Sequence, residues 1–356
     1  MVTLLLIVLI IGLLILVHEW GHFYAARRLG IRVDEFGIGF PPRLFSRMRN
    51  GVRYSLNLLP FGGFVKIFGE HGEGEGEGES FISRPAWQRL AVLAAGVFMN
   101  FGLAWLFFSI GAAVGVPQVV EKPDDEVPVS IITVLPGSPA AEAGLHFGDQ
   151  ILEMRAREIS LRIESEEDVR NFVDAYRGEE IVVVVKRKED IREIAVTPRV
   201  NVPPAEGPLG IAMARLMIVR VPWYEAPVRG MITLGRSSAL ILSGLGSLLK
   251  ELLIDLRVDR IAVSGPIGIF FFASDTRALG FAYFLQFVGI LSVNLGVLNF
   301  LPIPALDGGR AFFLLLEKLK GRRLHPRVEQ VAHTLGFVLL ILLMIAVTYK
   351  DIARMW

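Results

Sequence analysis

His18-Glu19-Trp20-Gly21-His22 closes an apolar run that begins at Val2. On a helix, positions four apart share a face, so His18 and His22 can direct imidazole nitrogens at one metal ion. Glu19 then stands beside water on that metal, where a general base is needed. Far along the chain a second apolar run ends in Asn299-Phe300-Leu301-Pro302-Ile303-Pro304-Ala305-Leu306-Asp307-Gly308-Gly309. Two His and one Asp leave the fourth zinc position open for water, which is the donor set of a catalytic rather than a structural site. Both motifs sit in stretches hydrophobic enough to enter a bilayer.

Composition points the same way. The chain has 356 residues, which would suggest about two domains in a soluble protein. With 53% hydrophobic residues and a mean hydropathy of +0.51, it is too apolar for that class. A formal net charge of +1 lacks the basic excess of a nucleic-acid binder. The absence of cysteine excludes disulfides, thiolate zinc sites and a cysteine nucleophile, and leaves the compartment open. No basic n-region or small-residue cleavage site precedes the first apolar run, so residues 1–17 are expected to stay as a membrane helix.

A span needs about 20 mostly apolar residues. Four segments qualify: 1–26 with HEWGH, 90–116, 279–310 with the Asp307 motif, and 331–349. Segment 27–89 carries ten Lys and Arg: Arg27, Arg28, Arg32, Arg43, Arg47, Arg49, Arg53, Lys66, Arg84 and Arg89. Lys318, Lys320, Arg322, Arg323 and Arg327 separate the last two spans. The positive-inside rule puts both loops in the cytoplasm, with both termini and the region between the second and third spans outside. His18 lies about 25 Å along its helix from Met1, toward the cytoplasmic side. Asp307 follows a span that ends on the same side, so the two motifs meet at one depth. Segment 227–258 is interrupted by Arg229, Arg236, Lys250, Glu251 and Asp255, which favours an amphipathic helix in the outer interface. A fifth span there would carry Asp307 to the opposite face from His22.

In the first loop, 33–40 and 52–68 are β-compatible runs separated by Pro41, Pro42, Asn50 and Gly51, the pattern of hairpins. Phe61-Gly62-Gly63-Phe64 is too apolar for a solvated turn. Residues 72–79 alternate Gly and Glu, a tract that buries nothing and repels itself, so a flexible solvated loop is expected. Region 118–215 has soluble composition: a strand from Ser130, a turn and short helix to Leu145, a strand after Asp149, a helix over 164–177 and a strand over 181–186. Pro302 and Pro304 end regular helix at membrane depth, which is tolerated where the backbone lines a water-filled cavity.

HEWGH in the first helix, paired with NFLPIPALDGG near the other end, resembles the site-2 protease family of intramembrane zinc metalloproteases. The likeness extends over essentially the whole chain. It points to the bacterial regulator-of-sigma-E-protease-like branch with one PDZ domain, which cleaves membrane-bound anti-sigma factors. The resemblance implies a membrane α-helical fold with four transmembrane helices, a membrane-associated β-hairpin region and an inserted α+β PDZ-like domain over 118–215. It implies one Zn2+ per chain held by His18, His22 and Asp307, with Glu19 as the catalytic base. Asn299 and Asn294 stand where the family carries asparagines proposed to engage substrate; an oxyanion contact or an interhelical hydrogen bond are the other roles open to them.

Segments similar to Gly37-Ile38-Gly39-Phe40 and to the stretch from Pro60 to Glu70 form membrane-associated β-structure in the family. Gly62 and Gly63 thereby become candidate substrate contacts, where a strand edge could pair with an unwound substrate. Ser138-Pro139-Ala140, Ala141 to Leu145 and Phe147 to Leu152 resemble a circularly permuted PDZ domain, with Leu209-Gly210-Ile211 as its carboxylate-binding loop. Ser264-Gly265-Pro266-Ile267-Gly268-Ile269, within segment 227–275, also matches a family motif. Val97 replaces a Pro usual in the family, which puts the helix kink tied to that Pro in question. The expected partners are single-span membrane proteins trimmed by a site-1 protease, anti-sigma-factor-like or signal-peptide remnants, in the bilayer of the bacterial inner membrane. No nucleic acid is expected. The competing readings are a metal transporter using the same cluster and a proteolytically inactive PDZ-bearing scaffold, whose mark would be loss of Glu19.

Overall fold

Residues 2–17 carry no charge, so the segment has no polar face and folds as a helix suited to burial on all sides. It forms α1 (Val2–Arg28), whose last turn holds Arg27 and Arg28 against the negative end of the helix dipole. The computed structural model describes residues 2–70, 72, 74–119, 127–135, 137–187, 189–203, 206–253, 281–321 and 326–353. The motif at 264–269 lies outside these.

After α1 the chain makes one long antiparallel hairpin, β1 (Val33–Arg49) with β2 (Val52–Ile67). Asn50 and Gly51 turn it with φ of 50° and 77°, the pair of positive values that a two-residue type I′ turn requires. Sequence reading expected a break at Pro41-Pro42. Instead β1 runs through it, and the pairing slips from Phe40↔Leu59 to Arg43↔Asn57. Proline removes ladder donors, and the strand absorbs the loss as an irregularity in register rather than a turn.

Two compact units follow. Among the described residues the first comprises 2–111, 222–253 and 285–348. It contains α1, the hairpin, most of α2 (Ala86–Val114), α5 (Ala226–Leu253), most of α6 (Phe281–Phe300), α7 (Asp307–Lys320) and most of α8 (Pro326–Ala353). Among the described residues, four helical stretches are long and apolar enough to cross a membrane: Leu5–Arg28, Ala86–Val114, Phe281–Phe300 and Arg327–Tyr349. These match the four expected spans. The amphipathic α5 is not among them, and it packs Leu234, Ile241 and Leu245 against Ala104 and Phe108 of α2 and Val293 and Val297 of α6.

A second apolar cluster joins Phe23 and Ala26 of α1, the base of the hairpin (Val33, Phe36, Val52, Ile67), Val92 and Leu93 of α2, and Leu314 of α7. Small residues allow the membrane helices to close up. A methyl on Gly21 would lie 2.5 Å from the Ala95 carbonyl oxygen, so the backbones of α1 and α2 approach each other directly there. β2 runs along α1 in the same way, with Gly12 facing the Pro60 carbonyl and Gly62 packed on Ile15.

The second unit covers 112–221 with 281–284 and 349–353 among the described residues. Its sheet orders β3 (Val116–Val119), β9 (Ile211–Val219), β4 (Val129–Val134), β5 (Gln150–Ala156), β7 (Ile181–Arg187) and β8 (Asp190–Val196), with β6 (Ile159–Arg162) paired to β5. All pairs are antiparallel. The short α3 (Pro139–Glu142) and α4 (Glu166–Ala175) accompany it. Val169, Phe172 and Val173 of α4 cover Ile131, Ile151, Met154 and Val183. Ser165 and Asp168 close a capping box at the start of α4. Asp149 is fully buried and forms a two-pronged ion pair with Arg187, at 2.7 Å to each oxygen.

Candidate active site

Helical spacing brings His18 and His22 one turn apart, with their rings edge to face at 4.7 Å. Their Nε2 atoms lie 3.1 Å from each other. Asp307 Oδ2 lies 2.8 Å from the first and 3.1 Å from the second. Both imidazoles are buried. Four donors at zinc distances of about 2.0–2.1 Å in a tetrahedron stand about 3.3 Å apart. The triangle of two nitrogens and one carboxylate oxygen has edges of 2.8 to 3.1 Å, a few tenths of an ångström short of that spacing, so a small opening of the cluster would fit one such ion.

Local sequence explains how the acid reaches the histidines. Asp307 opens α7, where the positive end of the helix favours a carboxylate. The chain must fold back on itself between α6 and α7 within six residues. Methyls on Gly308 and Gly309 would lie 2.1 Å from the Leu301 carbonyl oxygen and 2.3 Å from that of Ile303. Only glycine admits so tight a return. Ala305 adopts φ of +82°, and its N–H donates to His333 Nδ1 of α8 at 2.8 Å. Gly336 leaves room for the loop's Pro304 carbonyl oxygen, which lies 2.4 Å from where a Cβ would be. The Pro-Ile-Pro loop is thus seated on α8 before Asp307 begins.

α2 supports the other side. Gly96 lies against the histidines so closely that a methyl there would meet His22 Nε2 at 2.4 Å. His22 Nδ1 donates to the Val92 carbonyl oxygen at 2.8 Å. Glu19, next to His18, accepts the Val65 N–H of β2 on Oε2 at 3.1 Å. Glu19 and the hairpin strand are therefore hydrogen-bonded to each other, a link that spacing along the chain did not suggest.

The remaining expected residues fall in three places. Asn299 reaches His18, Nδ2 to Nε2 at 3.4 Å, and lines a groove of about 310 Å³ with Leu93, Val97, Pro302, Asp307 and Phe312. Asn294 is half-buried on α6 and makes none of the cluster's hydrogen bonds among the described residues. Gly62 and Gly63 pack on Ile15 and Leu16 of α1 and on the Gly37 carbonyl. Leu209, Gly210 and Ile211 belong to the second unit. There they line a groove of about 420 Å³ beside α4, and the Gly210 N–H already donates to Gly207 O at 3.0 Å. One residue was missed: Asn100 of α2, fully buried, has Nδ2 3.1 Å from His18 Nδ1. A lone buried amide in a membrane helix was its only signal.

The model of peptidase family M50 matches residues 6–343. The chain belongs to peptidase family M50. Individual M50 relatives align over nearly their whole length. A zinc metalloprotease predicted in Clostridium perfringens is 32% identical over 339 residues, 95% of each chain. Zinc metalloprotease RasP of Oceanobacillus iheyensis is 28% identical over 449 aligned residues, spanning 100% of both. The regulator of sigma-W protease RasP of Bacillus subtilis is 28% identical over 443, spanning 99% of both.

Proposed function

We propose that this M50 peptidase hydrolyses peptide bonds within or beside the membrane-spanning segment of single-span proteins, at one zinc ion held by His18, His22 and Asp307. Membership of the family and the name its relatives share make the chain a zinc metalloendopeptidase with several membrane spans. The observation that carries the finer reading is the meeting of the HEWGH helix with Asp307, with all three donor atoms within 4.8 Å of one another. A zinc ion held by His18, His22 and Asp307 would supply Lewis acidity.

Glu19 takes the proton from the attacking water and passes it to the leaving nitrogen. Its bond to the Val65 N–H holds one carboxylate oxygen, leaving the other for the water. Asn299 lines the groove beside Asp307 and offers its amide to the substrate backbone or to the developing oxyanion. That groove is lined mainly by apolar side chains, which suits a membrane segment. A helical substrate shields its own carbonyls, so it must unwind locally, and the edge of β2 near Gly62 and Gly63 is where an extended strand would pair.

The Lys and Arg excess of the first and last loops supports a cytoplasmic site, with both termini and the 118–215 region outside. We read that region as a PDZ-like domain of the permuted kind. The groove between α4 and the Leu209-Gly210-Ile211 turn, with Arg170 and Arg177 along it, would receive a trimmed C-terminus. The substrates proposed are anti-sigma-factor-like proteins or signal-peptide remnants shortened by a site-1 protease, in a bacterial inner membrane. A Bacillus subtilis relative named as a regulator of sigma-W protease supports the first. Glu19 is in place, so nothing favours the inactive scaffold.

The test separates base from ligands. Glu19→Gln should keep one zinc per chain yet lose nearly all cleavage of a single-span substrate in detergent. His22→Ala and Asp307→Ala should lose zinc and cleavage together. Equal zinc loss in all three would make Glu19 a ligand and sink the assignment.

A further inference from the structure

We propose that Asn100 is a positioning residue for the metal centre, its side-chain carbonyl holding the proton of His18 on Nδ1 so that the Nε2 lone pair faces the zinc. The inference rests on the reading of His18 as a ligand and concerns a residue outside both motifs.

A neutral imidazole has one N–H and one lone pair, and only the lone pair binds a metal. Both histidines turn Nε2 toward Asp307, so both need the proton on Nδ1 and an acceptor there. For His22 the acceptor is the Val92 carbonyl of α2, at 2.8 Å. Two turns further along α2, Asn100 faces the Nδ1 of His18 at 3.1 Å. An amide has one accepting atom, Oδ1, and its two ends exchange places by a flip that leaves the shape unchanged. With Nδ2 toward the ring, His18 Nδ1 would have to accept and its Nε2 would carry the proton. The amide Oδ1 would then be buried without a hydrogen-bond partner. With Oδ1 toward the ring, His18 matches His22, each imidazole fixed by a carbonyl oxygen of the same helix.

The amide is well anchored for this. Asn100 is fully buried, and its backbone carbonyl accepts the hydroxyl of the fully buried Ser292 on α6 at 2.8 Å. α6 leads directly to the loop that delivers Asp307. Asn100 thus ties the helix carrying the histidines to the one preceding the acid. Partners of this kind fix ring orientation and commonly change metal affinity 10–100-fold when removed.

The experiment uses the full chain in detergent, with zinc affinity measured by competition against a chromophoric chelator and folding followed by thermal melting. Asn100→Leu keeps the branched skeleton of the side chain and loses the acceptor, so its zinc affinity should fall by about 10–100-fold. Asn100→Asp presents an oxygen either way and should bind zinc at least as tightly as the wild type. Leu binding as tightly as the wild type overturns the proposal, and so does Asp weakening as much as Leu. Should the Leu variant fail to fold, nitrogen NMR of His18 in the zinc-free wild type decides: a protonated Nδ1 supports the proposal, and a bare Nδ1 with the proton on Nε2 overturns it. His22→Ala is the separate arm. If it keeps its zinc the ligand reading fails, whereas a zinc-free His22→Ala beside an unaffected Asn100→Leu refutes only the role of Asn100.

Discussion

Gly96→Ala adds one methyl in the middle of α2 and should disable the enzyme without unfolding it. The added Cβ would stand 2.4 Å from His22 Nε2 and 2.8 Å from His18 Cε1, where ordinary contact begins at 3.4 Å. Closing that overlap moves the His22 donor atom by about 1 Å, against a tolerance of roughly 0.2 Å for a metal ligand. A misplacement of about 1 Å is worth about 100-fold in rate, or about 2.7 kcal/mol of transition-state stabilisation. Helix propensity acts the other way, since alanine is better than glycine in a helix interior by about 1 kcal/mol. Loss of activity should therefore come with unchanged or higher resistance to heat of the metal-free chain. Gly102→Ala, on the same helix with nothing within 4 Å of its Cβ, is the control and should leave zinc and cleavage as they were. The assay is zinc per chain, cleavage of a single-span substrate in detergent, and a melting curve for each variant. A Gly96→Ala enzyme with wild-type zinc affinity and cleavage would refute the packing of α2 onto the histidines.

Other perturbations address the remaining parts. Cysteines in place of the exposed Glu77 and Gly321 should be shielded from an impermeant thiol reagent in intact cells, and one at the exposed Glu167 labelled; labelling at Gly321 without Glu77 would break the four-span topology. Gly210→Trp, at a backbone φ of +72° against Ser138, should erase any preference for trimmed over untrimmed substrate while zinc content stays unchanged; an unaltered preference removes the carboxylate loop from substrate selection. In α4, Ser165→Ala should cost the second unit about 1 kcal/mol, measured by hydrogen exchange of the full chain. Burial pushes the Asp168 carboxyl up, yet N–H groups of Glu164 and Ser165, the Ser165 hydroxyl and Arg215 together hold it below its ordinary 3.8. Its contribution should be present above that value and lost as pH falls through the lower folded one, so Asp168→Asn should flatten the acid limb of α4 protection.

Much of the site was legible because its chemistry is local. His18, Glu19 and His22 are set by helical periodicity, and the long apolar runs declare the spans by length alone. Asp307 could be joined to them at one depth by counting spans and positive loops. The hairpin was half legible: Asn50-Gly51 announces its turn, but Pro41-Pro42 reads as a break because a sequence does not show what pairs across a strand. The helix over 164–177 was legible but its capping box at Ser165 and Asp168 was not read, and the buried Asp149–Arg187 pair joins residues that only the sheet brings together.

What the sequence determined by itself was the class of protein and the shared face of His18 and His22, since hydropathy and i, i+4 spacing depend on nothing outside the helix that carries them. Only the tertiary structure decided how those donors are held. Gly96 and Gly21 are small because another helix passes there, and Gly308 and Gly309 because a carbonyl does. Asn100, Val92 and Val65 meet the histidines and Glu19 from other segments, through contacts with no period along the chain. A ligand's identity is written in its own residue, but its orientation belongs to its neighbours in space.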